Sequence, residues 1–295
     1  MNLFVFGLGY SAQHFVHLYA HAFEHVAGTV RDNAQARPLA GTTEILHFGP
    51  DGASPEIEER LGQADVILVS VPPGTSVDPV LARYGRRLAG IRRAQKILYL
   101  STIGVYGDRG GEWVDETVLP HSQNERSKIR ISAEKAWLTL AKDPAKTVHV
   151  LRLSGIYGPG RNALLNLAAG KARRLVKPGQ VFNRIHVEDI ARACAALVAY
   201  DGPSDVWNVT DDEPAPPQDV VAFAAEMMGI EPPPEQDFAT AELTPMARSF
   251  YGENKRCANR KIKEELALEL AFPTYREGIA ALWADGEGRI AAPQP

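Results

Sequence analysis

The feature that most constrains this chain is an apolar run that leads directly into a glycine turn near the first residue. Residues 3–6 have the length and composition of a buried strand, and the sequence continues Gly7-Leu8-Gly9-Tyr10-Ser11-Ala12. A Gly-x-Gly-x-x-Ala turn between a strand and a helix is typical of dinucleotide-binding folds. The pattern predicts a pyrophosphate site at a helix N-terminus, where Gly7 allows the tight turn, Gly9 lets the backbone approach the anion and Ala12 allows close helix-on-strand packing.

Strand-length apolar runs recur along the chain and alternate with helix-like segments. They lie at residues 3–6, 25–30, 44–48, 66–71, 97–100, 148–153 and 206–209. This alternation predicts an α/β fold with a doubly wound parallel sheet, the Rossmann arrangement. Pro-rich connectors after residue 210 predict a small C-terminal α/β substrate lobe. We expect residues 1–155 and 186–210 to form the Rossmann domain, residues 156–185 and 211–285 the smaller lobe, and residues 286–295 a frayed tail.

Composition restricts the classes of partner. The 295 residues are 45% hydrophobic and carry a formal net charge of −4, which argues against binding to nucleic acid. Cys194 and Cys257 are the two cysteines, and their contexts indicate neither a disulfide framework nor a metal site. No apolar run reaches membrane-spanning length, and we expect no secretory leader, because the given sequence enters its first predicted strand without a basic segment or a small-residue cleavage site. We expect a cytoplasmic protein with a small-molecule substrate and no membrane partner.

The second predicted strand ends in residues that bear on the choice of cofactor. Arg31 stands 22 positions after Gly9, near the place where these folds recognise the adenosine ribose. A guanidinium there can bind a 2′-phosphate, and Thr29 could donate a further hydrogen bond. NADP is therefore favoured. The alternative is that Arg31 points to water and Asp32 binds the ribose, as expected for NAD.

Further strings resemble the extended short-chain dehydrogenase/reductase superfamily, the group of nucleotide-sugar epimerases and dehydratases, and the match runs nearly end to end. The matching segments are Leu100-Ser101-Thr102-Ile103-Gly104-Val105-Tyr106-Gly107, Leu151-Arg152-Leu153-Ser154-Gly155-Ile156-Tyr157-Gly158-Pro159-Gly160, Ile185-His186-Val187-Glu188-Asp189-Ile190, Trp207-Asn208-Val209 and Phe272-Pro273-Thr274-Tyr275-Arg276-Glu277-Gly278. The single residue between Gly7 and Gly9 is similar to the atypical members, because the extended members commonly place two residues there.

The resemblance implies that the pyrophosphate is held by Gly7, Gly9, Tyr10, Ser11 and Ala12. It also implies roles for residues outside this turn. Val71 and Pro72 would border the adenosine, and Ser154 and Tyr157 would border the nicotinamide. Thr102 matches the serine or threonine that orients the substrate carbonyl. The substrate would be a small molecule, with a nucleotide sugar as the candidate that the resemblance suggests. A homodimer is possible through the helices predicted at residues 78–93 and 127–141.

The catalytic pattern of the superfamily is interrupted. Active members carry a Tyr-x-x-x-Lys pair on one helix face, where the lysine lowers the tyrosine pKa. The corresponding segment here contains no tyrosine. One alignment places Arg126 and Arg130 at the two positions, and another places Asn124 and Lys128 there. Neither restores a proton carrier, because guanidinium does not deprotonate and an amide is not a base. Dehydration by the usual Asp-Glu pair is also disfavoured, since Ile103-Gly104 follow Thr102.

Basic residues offer another kind of contact. Arg126 and Arg130 are spaced i, i+4 and would share a helix face, where they could bind an anionic substrate or form a solvated face paired with nearby glutamates. The basic cluster at residues 170–174 is a further candidate phosphate contact. Substitute proton carriers are Glu125, Tyr106, His121 and His186, although His186 is expected to cap the following helix and Tyr106 to pack beside the cofactor.

These observations predict an NAD(P)-binding atypical short-chain dehydrogenase/reductase, a nucleoside-diphosphate-sugar epimerase or reductase that lacks the Tyr-x-x-x-Lys pair. The alternative is a catalytically silent NADP-binding protein that reports the redox state of the cofactor to a partner. A third interpretation, a scaffold that has lost dinucleotide binding, would make Gly7 and Gly9 structural relics. The sequence leaves the substrate and the reaction direction open.

Overall fold

An eight-stranded sheet forms the centre of the computed structural model, which describes residues 1–32, 43–93 and 95–289. The strands of the chain are β1 Asn2–Phe6, β2 His25–Val30, β3 Glu44–Gly49, β4 Gly52–Ala53, β5 Val66–Val69, β6 Gln95–Thr102, β7 Trp113–Val114, β8 Lys146–Leu153, β9 Gly155–Tyr157, β10 Arg174–Val176, β11 Arg184–His186, β12 Asp205–Val209, β13 Glu235–Asp237 and β14 Arg256–Cys257. The helices are α1 Tyr10–Tyr19, α2 Ile57–Gln63, α3 Pro79–Gly90, α4 Glu125–Thr139, α5 Ala163–Ala168, α6 Val187–Ala199, α7 Pro217–Met228, α8 Pro245–Phe250, α9 Arg260–Glu265 and α10 Tyr275–Ala284.

The large sheet has the strand order β12-β8-β6-β5-β1-β2-β3-β4. Its neighbouring strands are parallel except for β3 and β4. From β1, the chain adds β2 and β3 on one side and β5, β6 and β8 on the other. The order therefore reverses between β1 and β5, and α/β proteins bind ligands at the carboxyl ends of the strands beside such a reversal.

Helices cover both faces of this sheet. On one face, α1 and α6 bury Phe15, Val16 and Leu197 in one apolar cluster. On the other face, α2, α3 and α4 contribute Leu61 and Trp137, with further apolar side chains, to a second cluster. Parallel strands covered on both faces are expected to be apolar throughout, as the runs in the sequence are. The predicted doubly wound Rossmann class is confirmed.

The end of one strand and the buried face of one helix differ from what the apolar patterns of the sequence indicate. β5 ends at Val69, two residues early, because residues 70 and 71 leave the sheet and turn over Gly7. α4 buries the carboxylate of Glu134 on the same side as Ala133 and Trp137, where apolar side chains are expected. A carboxylate in a buried helix face is invisible to an apolar pattern, because only its partner shows why it is there.

A smaller α/β lobe lies beyond the main sheet. Helices α5, α7 and α10 pack their apolar faces together, and short strand pairs β9–β11 and β10–β13 flank them. Within the segment predicted for this lobe, Ile262, Leu268 and Leu270 pack into the core of the main sheet instead. In the predicted tail, Glu287 accepts hydrogen bonds from the backbone N–H of Gly160 at 3.1 Å and from Asn162 Nδ2 at 2.8 Å. Residues 290–295 lie outside the described residues.

Candidate functional site

The turn after β1 requires glycine at its first position. Gly7 has φ +87°, and a Cβ added there would lie 2.8 Å from Val71 Cγ2. Both backbone polar groups of Gly7 are held by side chains from neighbouring strands. Its N–H donates to Thr29 Oγ1 at 2.9 Å, and its C=O accepts from Ser70 Oγ at 2.7 Å. The turn is therefore fixed between the ends of β1, β2 and β5.

Gly9 has a different reason to be glycine. Its φ is −85°, and an added Cβ would find Ser70 Oγ at 3.9 Å as its nearest contact within the described chain. Neither backbone strain nor internal packing requires a glycine here. The space beside Gly9 is open to a ligand, which is the condition for close approach of a diphosphate to the backbone.

The N-terminus of α1 adjoins this space. Gly9 is the N-cap residue, no side chain of the described residues caps the helix, and its first turn carries no acidic residue. The side chains of Ser11 and Ala12 are buried, and Tyr10 donates from its hydroxyl to Pro159 C=O at 2.9 Å. The backbone N–H groups of the first turn are therefore left for another acceptor, and the helix dipole favours an anion.

The two residues predicted to recognise the ribose, Thr29 and Arg31, differ in exposure. Thr29 is buried, and its Oγ1 already accepts from Gly7, so it holds the turn and has no exposure through which to contact a phosphate. Arg31 directly follows β2 with an exposed side chain. Gly28 has a structural role that the sequence analysis did not predict. A Cβ there would lie 2.7 Å from Leu8 Cγ, so the position favours glycine.

The predicted adenosine border follows β5. Val71 is half-buried against Gly7, and Pro72 is exposed. Ser70, also missed, anchors the glycine turn through its hydroxyl. The sequence signal for it was a polar residue placed directly after the apolar run of β5.

A cleft of about 630 Å³ opens between the carboxyl end of β6, the start of α4 and the small lobe. Its walls include Thr102, Ser154 and Tyr157, all predicted to border the nicotinamide or substrate, together with Arg126 from α4. A volume of this order suits a small molecule. The structure thus brings four sequence-predicted residues from three distant segments to one cleft.

Thr102 ends β6 with its hydroxyl engaged on one side only. Its Oγ1 accepts from Gly104 N at 3.1 Å and so caps the short 3₁₀ helix Ile103–Tyr106. The hydroxyl proton can still be donated to a ligand, because the hydroxyl has one donor and two acceptor positions. Thr102 has the hydrogen-bonding capacity to orient a carbonyl, and it is not a base.

Tyr157 lines the cleft but is held by the small lobe. Its hydroxyl donates to Thr274 C=O at 3.4 Å, and burial raises the pKa of this phenol well above its usual value. The ring packs on α10, where a Cβ on Gly278 would lie 2.0 Å from the phenol oxygen. This contact explains the glycine of the closing segment. Tyr157 is consequently a wall of the cleft and remains neutral.

The start of α4 separates the two predicted arginines. Asn124 Oδ1 accepts from Arg126 N at 2.9 Å, and both residues line the cleft. Arg130 is one turn further along, over β6, where its Nη1 donates to Tyr99 Oη and Leu100 C=O, both at 3.1 Å. The guanidinium of Arg130 secures α4 to the sheet and is not among the side chains that line the cleft, so its substrate contact stays a prediction. Lys128 is exposed and pairs with Glu125 at 2.7 Å.

A buried ion pair lies beneath this end of the sheet. Arg152 Nη2 lies 2.8 Å from Glu134 Oε2, and both side chains are at most 5% exposed. Arg152 also donates to Tyr106 Oη at 2.9 Å, and Tyr106 donates to Asn208 Oδ1 at 2.8 Å. Glu134 further accepts from Ser101 Oγ. Burial raises the pKa of Tyr106 to about 12, so this tyrosine belongs to the interior network and not to a proton-transfer site.

The other candidates also have structural partners. His186 Nδ1 accepts from Glu188 N at 3.3 Å, which caps α6 as predicted, and burial lowers its pKa to about 4. In the basic cluster, Arg173 bonds Gln236 Oε1 and Arg174 bonds Glu235 Oε1, both across the β10–β13 pair. These arginines join strands of the small lobe and do not line the cleft.

No group of three or more His, Cys, Asp or Glu side chains within residues 1–32, 43–93 and 95–289 is arranged to hold a metal ion. No helix within the same ranges has the length and apolarity to cross a membrane.

Comparison with known proteins places the fold. The structure is similar to that of a conserved protein of unknown function from Silicibacter pomeroyi DSS, with 45% identity, a TM-score of 0.87 and coverage of 97% of this chain and 99% of that one. It is also similar to a putative NAD-dependent epimerase/dehydratase from Methylobacillus flagellatus, at 25% identity and a TM-score of 0.71 over 96% and 98% of the two chains. The chain belongs to the extended short-chain dehydrogenase/reductase superfamily.

More distant members share the fold. The UDP-glucuronic acid 4-epimerase of Bacillus cereus, solved with UDP-glucuronic acid and NAD, has a TM-score of 0.76 at 18% identity over 96% of this chain and 98% of its own. Among curated proteins, Escherichia coli K12 protein YeeZ is 26% identical over 83% of this chain and 86% of its own. No protein-family model matches the chain. The superfamily predicted from the sequence is confirmed.

Proposed function

We propose that this chain is a nicotinamide-dinucleotide-binding protein of the superfamily, an epimerase or reductase that works without the Tyr-x-x-x-Lys pair. The observation that carries the proposal is the uncapped N-terminus of α1 beside Gly9. Neither the backbone angles of Gly9 nor its contacts within the described chain require a glycine there. A diphosphate fits this position because it needs both backbone donors and close approach. The structural neighbour from Bacillus cereus is a complex with NAD, which supports a dinucleotide of this class.

Residues of this chain account for the binding of each part of the dinucleotide. Gly7, Gly9 and the first turn of α1 would hold the diphosphate, and Val71 with Pro72 would border the adenosine. Arg31, exposed at the end of β2, favours the 2′-phosphate of NADP over the free hydroxyl of NAD. When bound, such a cofactor supplies hydride transfer.

The remaining residues orient a substrate. Thr102 would donate its hydroxyl proton to a carbonyl or hydroxyl oxygen, while Arg126, at one of the two positions aligned with the missing tyrosine, contributes positive charge. Arg126 cannot carry the proton, because a guanidinium stays protonated. A nucleotide sugar is the proposed substrate class, as in the Bacillus cereus complex.

Calorimetric titration of the full-length protein with NADP and with NAD tests the proposal. We expect both to bind, with NADP tighter. Arg31→Gln should remove most of that difference, whereas Arg86→Gln on α3, an exposed arginine outside the cleft, should leave it unchanged. Absence of binding by either nucleotide would refute the proposed function.

A second function is favoured by one observation. At the start of α4, Arg126 and Asn124 line the cleft and neither can exchange a proton. This arrangement suits a catalytically silent protein that binds NADP and reports its redox state to a partner. Oxidised and reduced NADP should then differ in their effect on binding to another protein. A substrate-dependent change in the absorbance of bound reduced nicotinamide would eliminate this alternative.

A further inference from the structure

Basic side chains outnumber acidic ones on the described walls of the cleft. Arg126, Arg161, Arg184 and Lys255 line it with a single carboxylate, Glu253. Lys255 Nζ lies 2.8 Å from Glu253 Oε2, so these two charges neutralise each other. Three guanidinium groups remain, and none of them forms an ion pair with a described residue.

Arg184 is the most informative of the three because it is partly withdrawn from water. It lies on β11, and its Nη1 donates to Phe182 C=O at 2.9 Å and to Ala215 C=O at 3.1 Å. Two carboxyl groups interact with it, Asp211 and Glu213. Glu213 is already paired with Arg276 at 3.1 Å, and Asp211 is buried, which raises the Asp211 pKa to about 8. Asp211 is therefore mostly protonated at neutral pH. A half-buried cation that lacks a compensating anion is costly, which indicates that a ligand supplies one.

Arg126 occupies an unfavourable position for a cation. It is the second residue of α4, beside the positive end of the helix dipole. Its side chain is exposed and makes no hydrogen bond within the described chain. Residues that oppose a local preference without an internal compensation are commonly functional.

The sheet register places these arginines near Thr102. Thr102 pairs with Leu153 across β6 and β8, and two residues later Gly155 pairs with Arg184 across β9 and β11. On the other side, the Cβ position of Gly104 lies 3.3 Å from Ser127 Oγ, which is adjacent to Arg126 in α4. Arg126 and Arg184 therefore approach Thr102 from α4 and from the small lobe.

We propose that Arg126 and Arg184 bind an anionic substituent, a carboxylate or a phosphate, on the reacting sugar-sized part of the substrate. This inference rests on the proposed function, since it names the substrate class of the same cleft. An uncharged sugar ring would leave the two guanidinium groups without an anionic partner. An acid would form charge-assisted hydrogen bonds with them and neutralise the excess charge.

Matched ligands test this directly by calorimetry on the full-length protein. One arm compares UDP-glucuronic acid with UDP-glucose, which differ by a carboxylate. The other compares glucose 6-phosphate with glucose. We expect the anionic ligand to bind about tenfold more tightly in at least one arm, as a charged hydrogen-bonded contact allows. The arm that shows the preference identifies the source of the anion.

Arg126→Gln should reduce this preference to about threefold or less, and Arg86→Gln should retain it. Equal affinities in both arms would overturn the inference, as would no binding of any of the four ligands. A loss that is equal for UDP-glucose and UDP-glucuronic acid in Arg126→Gln would also overturn it, since Arg126 would then contact the diphosphate. Dinucleotide titration of the same preparations separates these results from failure of the proposed function.

Discussion

The two ends of the ligand site are built in different ways. The glycine turn at residues 7–12 is formed by backbone groups, and its requirements are set by dihedral angles and by space at Gly7 and Gly9. The substrate end around Thr102 depends on side chains, held from beneath by the buried Arg152–Glu134 pair. The first region retains the superfamily pattern, whereas the second has lost its tyrosine and lysine. This difference supports the proposal that the chain still binds a dinucleotide while the chemistry beside it has changed.

The largest effect is expected beneath the substrate end. Arg152→Met would leave Glu134 buried without its partner and should lower the free energy of unfolding by about 3–5 kcal/mol, measured by urea denaturation. The exposed Lys128–Glu125 pair provides the control, and Lys128→Met should cost less than about 0.5 kcal/mol. Similar losses in the two variants would show that side chains do not hold this region as described.

Gly7→Ala tests the opposite region. The substitution adds a left-handed backbone strain and a 2.8 Å contact with Val71, so we expect a loss of roughly 2–3 kcal/mol in unfolding free energy. Gly229 also has positive φ, +65°, but its Cβ position has no neighbour within 4 Å. Gly229→Ala should therefore cost only about 1 kcal/mol. If Gly7→Ala costs no more than this, the turn is less constrained than its geometry implies.

At the substrate end, the buried carboxyl group of Asp211 makes the free energy of unfolding depend on pH. Because burial raises the Asp211 pKa from 3.8 to about 8, the folded protein retains a proton that the unfolded chain releases. The contribution of Asp211 to the free energy of unfolding is fully present below pH 3.8. It is lost as the pH rises toward 8, by up to about 1.4 kcal/mol per pH unit.

Asp211→Asn removes this proton exchange. Its unfolding free energy, measured by denaturation between pH 6 and 8, should fall less steeply with pH than that of the wild type. Parallel curves would contradict the assignment of the raised pKa to Asp211.

The smallest effect concerns the hydroxyl of Thr102. Thr102→Val removes the acceptor for Gly104 N and should cost about 1 kcal/mol in thermal unfolding, whereas Thr102→Ser should cost less than about 0.5 kcal/mol. Equal losses in the two variants would contradict the assignment of this stabilisation to the hydroxyl. Loss of turnover in Thr102→Val but not in Thr102→Ser would further support the proposed substrate contact.

The fold and half of the site were predictable from the sequence for physical reasons. Strand runs and the Gly7 turn are encoded locally, because apolar residue types favour burial and glycine permits positive φ. The role of Ser70 was not visible, since its partner Gly7 is 63 positions away. The same reason applies to Arg130, whose carbonyl partner Leu100 lies 30 positions back, and to Glu134, which is buried only because Arg152 faces it.

The most direct test of the account is a titration of Gly9→Ala with NADP beside the wild type, together with the thermal unfolding of both proteins. Since a methyl group at Gly9 meets nothing closer than 3.9 Å within the described chain, stability should change by less than about 0.5 kcal/mol. The same methyl would occupy the space assigned to the diphosphate, so NADP affinity should fall at least about tenfold. Undiminished binding of NADP by Gly9→Ala would contradict the central claim that the backbone at this turn holds the dinucleotide.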